Sequence, residues 1–246
     1  MSIRITSLIL LVGLMTSCEA YGQNWGRGRT IQASNNIITE SRELSGFDEL
    51  KICCSISVDL YKSDTYEVEV QAPDNVMSAV RTELMGDRLV IGMENNVNIR
   101  GGSRIKVRIS MPSLEDVSVS SSSVLKGHDT FTGDELDVKC SSSGTIDLDF
   151  EGEEIDVSVN SSGRIELRGK ADEVKVNSSS SGSVDAYDLA TKSADVNSSS
   201  SSVVRISVSD RLEANASSSA SIKYRGQPNY VDTDSSSGAS IKGGDR

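Results

Sequence analysis

His128 is the only histidine of the chain and the first residue to consider for acid–base or metal chemistry. Asp129 follows it at a corner between two alternating segments, and no second histidine is available as a partner. General acid–base catalysis needs several such groups to converge in a pocket. We therefore interpret His128 as a solvated loop residue. The sequence has no CxxC motif and no Cys/His cluster, so it predicts no zinc site.

Carboxylates recur at similar places in successive segments, at Asp147, Glu166 and Asp185. On stacked strands they could line the groove of a polysaccharide-cleaving enzyme. Basic residues mix the signs of charge nearby, at Lys126, Arg205 and Lys223. We therefore expect an ordinary outward-facing polar surface, with no catalytic residue, no metal and no cofactor. Calcium-binding repeats would need glycine and regularly placed aspartate where this chain has serine.

Four cysteines remain. Cys18 follows an apolar run from Ile5 to Met15 that is too short to span a bilayer. Small residues before a cysteine resemble the lipobox of bacterial lipoproteins, which predicts a signal peptide over residues 1–17 and acylation of Cys18. Ordinary secretory cleavage after Gly22 is the alternative.

The adjacent residues Cys53 and Cys54 point to opposite faces if they lie on a strand, which argues against a bond between them. Cys140 occupies a place that other segments fill with Val, Ser or Ala, which predicts a small buried residue. A disulfide from Cys53 or Cys54 to Cys140 stays open in an oxidising compartment.

The net charge of −11 argues against binding to nucleic acid or to anionic headgroups through charge. Residues 18–37 are polar and predict a tether. Period-two alternation then begins. It predicts short strands over 38–112, with a helical turn capped by Asp74 and a hairpin turning at Gly86-Asp87.

From residue 113 to 246 the chain repeats seven times around runs of serine. An apolar anchor follows each run, at Leu125, Ile146, Ile165, Val184, Val204, Ile222 and Ile241. The residue six places before each anchor is small or apolar: Val119, Cys140, Val159, Ser178, Ser198, Ala216 and Ser235. Asparagines in the same runs begin Asn-x-Ser sequons, which we interpret as by-products of corner composition.

One such segment cannot bury its apolar face alone, but stacked segments can. Each holds two alternating stretches, with a serine corner between them and a second corner such as 168–173. The pattern predicts an all-β parallel β-solenoid with coils of about 19 residues and a hairpin-containing N-terminal cap. Antiparallel hairpins in a sandwich or barrel are the alternative. Disorder is disfavoured, because the apolar positions are periodic.

The stretches SGFDELKI, VDLY and MPSLEDVSVS, together with the repeated serine corner, resemble the putative auto-transporter adhesin, head GIN domain, family. The resemblance covers roughly residues 41–242 and implies a right-handed parallel β-helix of exported bacterial proteins. Corners in that family typically read SGGSD. Here most are serine, with glycine at Gly144, Gly163, Gly182 and Gly238.

These features predict a non-catalytic, adhesin-like binding or structural module displayed on the cell envelope. The expected partners are a glycan, an envelope protein or a second copy of the chain, with membrane contact only through a lipid anchor. The expected location is the outer membrane, periplasm or cell surface, and secretion as a soluble protein is the alternative. A polysaccharide-acting enzyme of β-helix type is the alternative function.

Overall fold

The computed structural model describes residues 28–102 and 105–244. The strands found there are β1 (Arg29–Gln32), β2 (Ile37–Ser41), β3 (Glu49–Ile52), β4 (Ser57–Lys62), β5 (Glu67–Pro73), β6 (Val80–Met85), β7 (Arg88–Met93), β8 (Val97–Arg100), β9 (Lys106–Met111), β10 (Asp116–Val119), β11 (Val124–Cys140), β12 (Thr145–Val159), β13 (Arg164–Ser178), β14 (Ser183–Ser198), β15 (Val203–Ala216), β16 (Ser221–Arg225), β17 (Tyr230–Ser235) and β18 (Ser240–Gly243). A 3-10 turn, η1 (Met77–Ala79), lies between β5 and β6. No helix within these ranges is long and apolar enough to cross a bilayer.

The repeated half of the chain forms a stack of parallel coils. Strands β11 to β15 each continue around most of one coil and pair in parallel with the next strand in the chain. The stack has about seven turns of about 19 residues. The predicted β-solenoid is therefore confirmed, and separate antiparallel hairpins are wrong for the repeats.

The apolar anchors hold the coils in register. Each anchor pairs with the anchor of the next coil, from Leu125 with Ile146 through to Ile222 with Ile241. All of them up to Ile222 are fully buried, and Ile241 is half-buried. Each such side chain contributes about 1.5–3 kcal/mol when it leaves water. The small positions six residues earlier stack in the same way, and those from Val119 to Ala216 are at most 4% exposed.

Coil length varies on the side away from the serine corners. In β11 the pairing with β12 shifts between Lys126 and Thr130, which places the extra residues of the longest coil around His128. A similar shift occurs between Ala186 and Ala190 of β14. The predicted second corner at 168–173 is a bend within β13, where Gly169 has a φ of +112°. Insertions therefore leave the serine corners aligned.

The N-terminal part adds a coil out of chain order. Strand β3 pairs with β7 on one side and with β10 on the other, while β4 lies between β9 and β11. The earliest coil is thus inserted between two later ones. Antiparallel strands close this end of the stack. Strand β6 pairs with β7, and β5 pairs with β9 on one side and with β2 on the other. The predicted hairpin is β6–β7.

Two predictions for this region need correction. Residues 18–37 were predicted as a tether, and those up to residue 27 lie outside the described part of the chain. Within the remainder, Arg29–Gln32 forms a strand that pairs with β8. Its alternation was too short to detect, although Ile31 is buried. Asp74 does not cap η1. Its carboxylate instead accepts hydrogen bonds from Ser34 Oγ (2.5 Å) and Asn36 Nδ2 (2.9 Å), and these bonds lower the pKa of Asp74.

Candidate functional site

The serine runs form seven superimposed turns along one edge of the solenoid. We call this the serine edge; its turns are 120–123, 141–144, 160–163, 179–182, 199–202, 217–220 and 236–239. In each turn the fourth N–H donates to the first carbonyl, as Gly163 N does to Asn160 O at 2.9 Å. Both central residues have a left-handed φ, for example 50° at Ser161 and 63° at Ser162. This is the dihedral pattern of a type I′ turn.

Serine, rather than glycine, occupies the left-handed positions of this edge. Thirteen serines have φ near +50° to +64°, and only the last turn places a glycine there, Gly238. The glycines at 144, 163 and 182 hold the fourth, buried place of their turns instead. A Cβ on Gly163 would lie 2.8 Å from Cys140 O and 3.0 Å from a Val159 methyl. Those glycines are therefore required by close packing and not by their dihedral angles.

Backbone groups of the serine edge bond to each other, which leaves the hydroxyls of the central serines to the solvent. Ser143 N donates to Ser161 O at 3.0 Å, and Ser162 N to Ser180 O at 3.1 Å, in a ladder that continues from coil to coil. The central serines of all seven turns are exposed. Each stacked coil adds about 4.8 Å along the edge. The result is a regular array of hydroxyls that can both donate and accept hydrogen bonds.

A groove of about 420 Å³ runs beside the C-terminal half of the serine edge. Its floor is a row of exposed asparagines on the strands entering the turns, Asn177, Asn197 and Asn215, with Asp234 at one end. Asn215 Nδ2 donates to Asn197 Oδ1 at 3.3 Å, so the amides are partly ordered by each other. We call this the asparagine groove. The sequence signal for this groove is the repeated Asn-x-Ser pattern, so the asparagines are more than a by-product of corner composition.

A row of carboxylates, interrupted by one lysine, follows the same strands two residues earlier. Level with one another are Glu49, Asp116, Asp137, Asp156, Lys175, Asp195, Glu213 and Asp232. Lys139 Nζ contacts Asp116 at 2.8 Å and Asp137 at 2.9 Å, so part of the charge is compensated. Burial raises the pKa of Asp156, and Glu154 adds to this against the opposing effect of Lys175. This face disfavours anionic ligands beside the groove.

The carboxylates predicted to face outward do so, and arginines pair with them. Arg168 contacts Asp147, Asp149 at 2.6 Å and Glu166 at 2.8 Å. Burial opposes the charge of Arg168, but hydrogen bonds to Asp147 and Asp149 outweigh it and raise the pKa of the guanidinium. Asp185 pairs with Arg205 at 3.2 Å. Asp147, Asp149 and Asp185 therefore form ion pairs between coils, whereas Glu166 pairs with Arg168 of its own strand.

His128 has more partners than the sequence indicated. Its Nε2 lies 2.7 Å from Asp59 Oδ1, and its ring stacks on Tyr61 with centroids 4.6 Å apart. Arg108 lies over the Tyr61 ring at 4.4 Å. His128 is exposed, as the interpretation as a solvated residue implies, but it lies within a strand, β11, and these partners were not predicted from the sequence. The contacts arise because β11 pairs with β4, which brings together residues far apart in the chain.

The three described cysteines are free thiols. Cys140 is buried, as predicted, and burial raises its pKa to about 11. Ile52 pairs with Val119 and Val119 with Cys140, so Cys140 lies two coils from the corner that holds Cys53 and Cys54. That spacing of about 10 Å rules out a disulfide between them. Cys18 lies outside the described residues, within which no group of three His, Cys, Asp or Glu could hold a metal ion.

Comparison with known proteins identifies the family. The family model described as putative auto-transporter adhesin, head GIN domain, matches residues 46–228. A crystal structure of a putative adhesin from Bacteroides fragilis NCTC 9343 superposes with a TM-score of 0.78 at 21% identity, covering 87% of this chain and 99% of that one. A putative lipid binding protein from Parabacteroides distasonis ATCC 8503 gives 0.72 at 20% identity, over 88% and 100% of the two chains.

A putative adhesin from Parabacteroides merdae ATCC 43184 gives a TM-score of 0.69 at 18% identity, over 88% of this chain and 100% of that one. These similarities show a shared fold. A search of the curated proteins finds no significant match. Family membership indicates an exported or surface protein. The chain belongs to the putative auto-transporter adhesin, head GIN domain, family.

Proposed function

We propose that this chain is a non-catalytic, adhesin-like module of the cell envelope that binds a neutral glycan along the serine edge and the asparagine groove. The observation that carries the proposal is the side-by-side alignment of exposed hydroxyls and amides over consecutive coils. Amides and hydroxyls each offer donors and acceptors, which match the hydroxyls of a sugar. The family name and the adhesin descriptions of two structural relatives support the same class of function.

Charge favours a neutral ligand over an anionic one. The carboxylate row lies on the strands that carry the groove, and Asp234 closes one end of it. An acidic polysaccharide would meet these charges directly. A neutral glycan would lose little, because its contacts are hydrogen bonds between uncharged groups. Its binding should therefore depend only weakly on salt.

The proposal includes an N-terminal lipid anchor at Cys18, which would hold the solenoid at the envelope. The lipobox-like residues before Cys18 support it. Mass spectrometry of the membrane fraction tests it. An acylated N-terminus at Cys18 is expected, whereas a free N-terminus at Gln23 would replace the anchor with ordinary secretion.

The binding test uses immobilised neutral and acidic oligosaccharides with the purified chain. In the variant N177A/N197A/N215A, three exposed amides are removed from the groove. A hydrogen bond between neutral groups contributes about 0.5–1.5 kcal/mol, so we expect roughly a 100-fold loss of affinity for the bound neutral glycan. Raising the salt concentration should change the wild-type affinity little.

The matched control is S183A/S221A/S240A, which removes three half-buried hydroxyls on the strands that leave the turns, on the other side of the serine edge. It should bind like the wild type. Equal losses in both variants would point to altered folding. Undiminished binding by the asparagine variant would refute the groove as the site, and binding only to acidic sugars would refute the neutral ligand.

Self-association is a second partner class with an observation behind it. In β17, the last coil described on that side, Val231 is 44% exposed, although Leu212, its partner in the preceding coil, is fully buried. An exposed strand edge with apolar side chains favours pairing with another chain. Light scattering across a concentration series should show an oligomer that Val231→Lys weakens. A monomer at every concentration would remove this partner.

The competing function is a polysaccharide-acting enzyme, and the Asp59–His128 pair is the observation in its favour. Stacking on Tyr61 covers one face of the imidazole, which fits a structural role better than a base approached by substrate. His128→Ala distinguishes the two. Glycan binding without turnover in both proteins supports the adhesin, whereas hydrolysis or elimination that His128→Ala abolishes would establish the enzyme.

A further inference from the structure

Two thiols meet at the corner of the inserted coil. Cys53 and Cys54 follow β3, and Ile52 at the end of β3 pairs with Ile91 of β7. A Cβ on Gly92 would lie 3.0 Å from Cys53 Sγ and 3.9 Å from Cys54 Sγ, so both sulfur atoms lie over this glycine. Both cysteines are half-buried, and Cys54 has a left-handed φ of 74°. The prediction that they point to opposite faces fails because they lie in a turn.

The fold does not require thiols at these two places. The corner 53–56 is equivalent to the turns of the serine edge, because Ile52 pairs with Val119 and Ser55 N donates to Ser121 O at 2.9 Å. In the seven other turns the place of Cys53 is taken by Ser120, Ser141, Asn160, Ser179, Ser199, Ser217 and Ser236. The place of Cys54 is serine in all seven. Serine therefore satisfies the backbone geometry of this corner. What the cysteines add is the reactivity of their thiols.

We propose that Cys53 and Cys54 are a redox modification site: a vicinal dithiol that a small-molecule disulfide oxidises reversibly to a disulfide. The Cys54 thiolate attacks the oxidant R–S–S–R, forms a mixed disulfide and releases one R–S⁻, which takes up a proton. The Cys53 thiol then loses its proton to water, attacks Cys54 Sγ and releases the second R–S⁻. Two thiols are oxidised and one disulfide is reduced to two thiols.

This bond would not be a structural staple. A disulfide stabilises chiefly by closing a long loop in the unfolded chain, and adjacent residues enclose none. Neighbouring Cα atoms are about 3.8 Å apart, below the usual span of about 4.4–6.8 Å between bridged cysteines. The ring is therefore strained and easily reduced, as expected of a labile, regulatory disulfide. An exported or surface protein meets the oxidising conditions that such a pair can sense.

The environment of Cys53 sets the rate of ring closure. Burial raises its pKa to about 11, and the hydrogen bond with the Cys54 thiol contributes in the same direction. The thiolate is the attacking species, so few molecules are reactive at neutral pH. Closure occurs from the mixed disulfide, in which Cys54 no longer carries a thiol, and should accelerate about tenfold for each pH unit between pH 7 and 9.

The test equilibrates the full chain with oxidised and reduced glutathione at graded ratios, followed by acid quenching, alkylation and tryptic mapping. Cys53 and Cys54 fall in one peptide, residues 52–62. We expect this peptide to lose two hydrogens as the ratio rises, to recover them on reduction, and to close faster at higher pH. The C53S and C54S variants, which carry the serine of the other corners, should stop at the mixed disulfide.

The matched control is C140S, which lacks the buried thiol two coils away and should oxidise like the wild type. Three outcomes would overturn the proposal: a peptide 52–62 that stays reduced at every ratio, a wild-type protein that stops at the mixed disulfide, or a disulfide between two chains. A closure rate that does not change with pH would refute Cys53 as the closing nucleophile. Mapping of the wild type decides the central question even if a serine variant folds poorly.

Discussion

Gly163→Ala is expected to destabilise the solenoid because of packing. The left-handed dihedral angles that usually demand glycine are adopted by the neighbouring Ser161 and Ser162. The new Cβ would lie 2.8 Å from Cys140 O and 2.9 Å from Cys140 C, both backbone atoms that cannot rotate away. Overpacking of this kind costs about 1–3 kcal/mol. Replacing glycine restores about 0.4–1 kcal/mol by restricting the unfolded chain. The net loss should be about 1–2 kcal/mol.

Ser162→Gly should have the opposite sign. A left-handed φ costs an L-residue about 1–2 kcal/mol. Glycine removes that cost but loses about 0.5–1 kcal/mol of backbone entropy on folding. The expected gain is about 0.5 kcal/mol.

Thermal and urea unfolding by circular dichroism measure both effects. For a chain of this length, about 1 kcal/mol shifts Tm by roughly 2–4 °C. The urea midpoint should move at constant slope, because neither change alters the area exposed on unfolding. A neutral Gly163→Ala would refute the packing argument, and a Ser162→Gly that destabilises would show that the left-handed φ of Ser162 carries no net cost in this turn.

Three further results follow from the core and the ion pairs. Phe150→Ala should cost about 3–5 kcal/mol in urea unfolding, because Phe150 is fully buried against the coil bends, whereas exposed Ser142→Ala should cost almost nothing; equal losses would refute this packing. Arg168→Gln should lower stability by about 1 kcal/mol at low salt and less at high salt, since it leaves three carboxylates without their partner, and a salt-independent loss would count against the ion pairs. Alkylation of Cys140 in the C53S/C54S protein should be slow at pH 8 and accelerate towards pH 11, because burial raises the pKa of Cys140 to about 11. The contribution of the buried neutral thiol to stability is present below pH 9 and is lost as pH rises through 11. Fast labelling at pH 8 would show that the coil opens there.

The coil stack was predictable because its signal is local and repeated. Leu125, Ile146 and the later anchors recur at nearly constant spacing, and the structure pairs them as that spacing implies. The same signal was present at Ile52 and Val58, which are six residues apart like Val119 and Leu125. Cysteine in place of serine concealed that corner.

The insertion of the β3–β4 coil between later coils could not be predicted from these patterns. Which coil lies beside which depends on pairing between distant segments, and periodicity fixes faces but not neighbours. The contact of His128 with Asp59 has the same origin, because it exists only once β4 lies against β11. For the same reason, the rows of asparagines and carboxylates became surfaces only when the register was known.

The strain along the serine edge bears on what the edge does. Glycine would adopt the left-handed φ of Ser161 or Ser162 without steric cost, and Gly238 shows that the turn accepts it. The central serine side chains are exposed, and the bonds that join the turns are made by the backbone, so folding makes little use of these hydroxyls. Strained backbone positions concentrate where a protein uses the side chain they present. If several central serines were changed to glycine together, the edge should therefore gain stability while losing affinity for the proposed glycan ligand, and such a separation would assign the hydroxyls to binding.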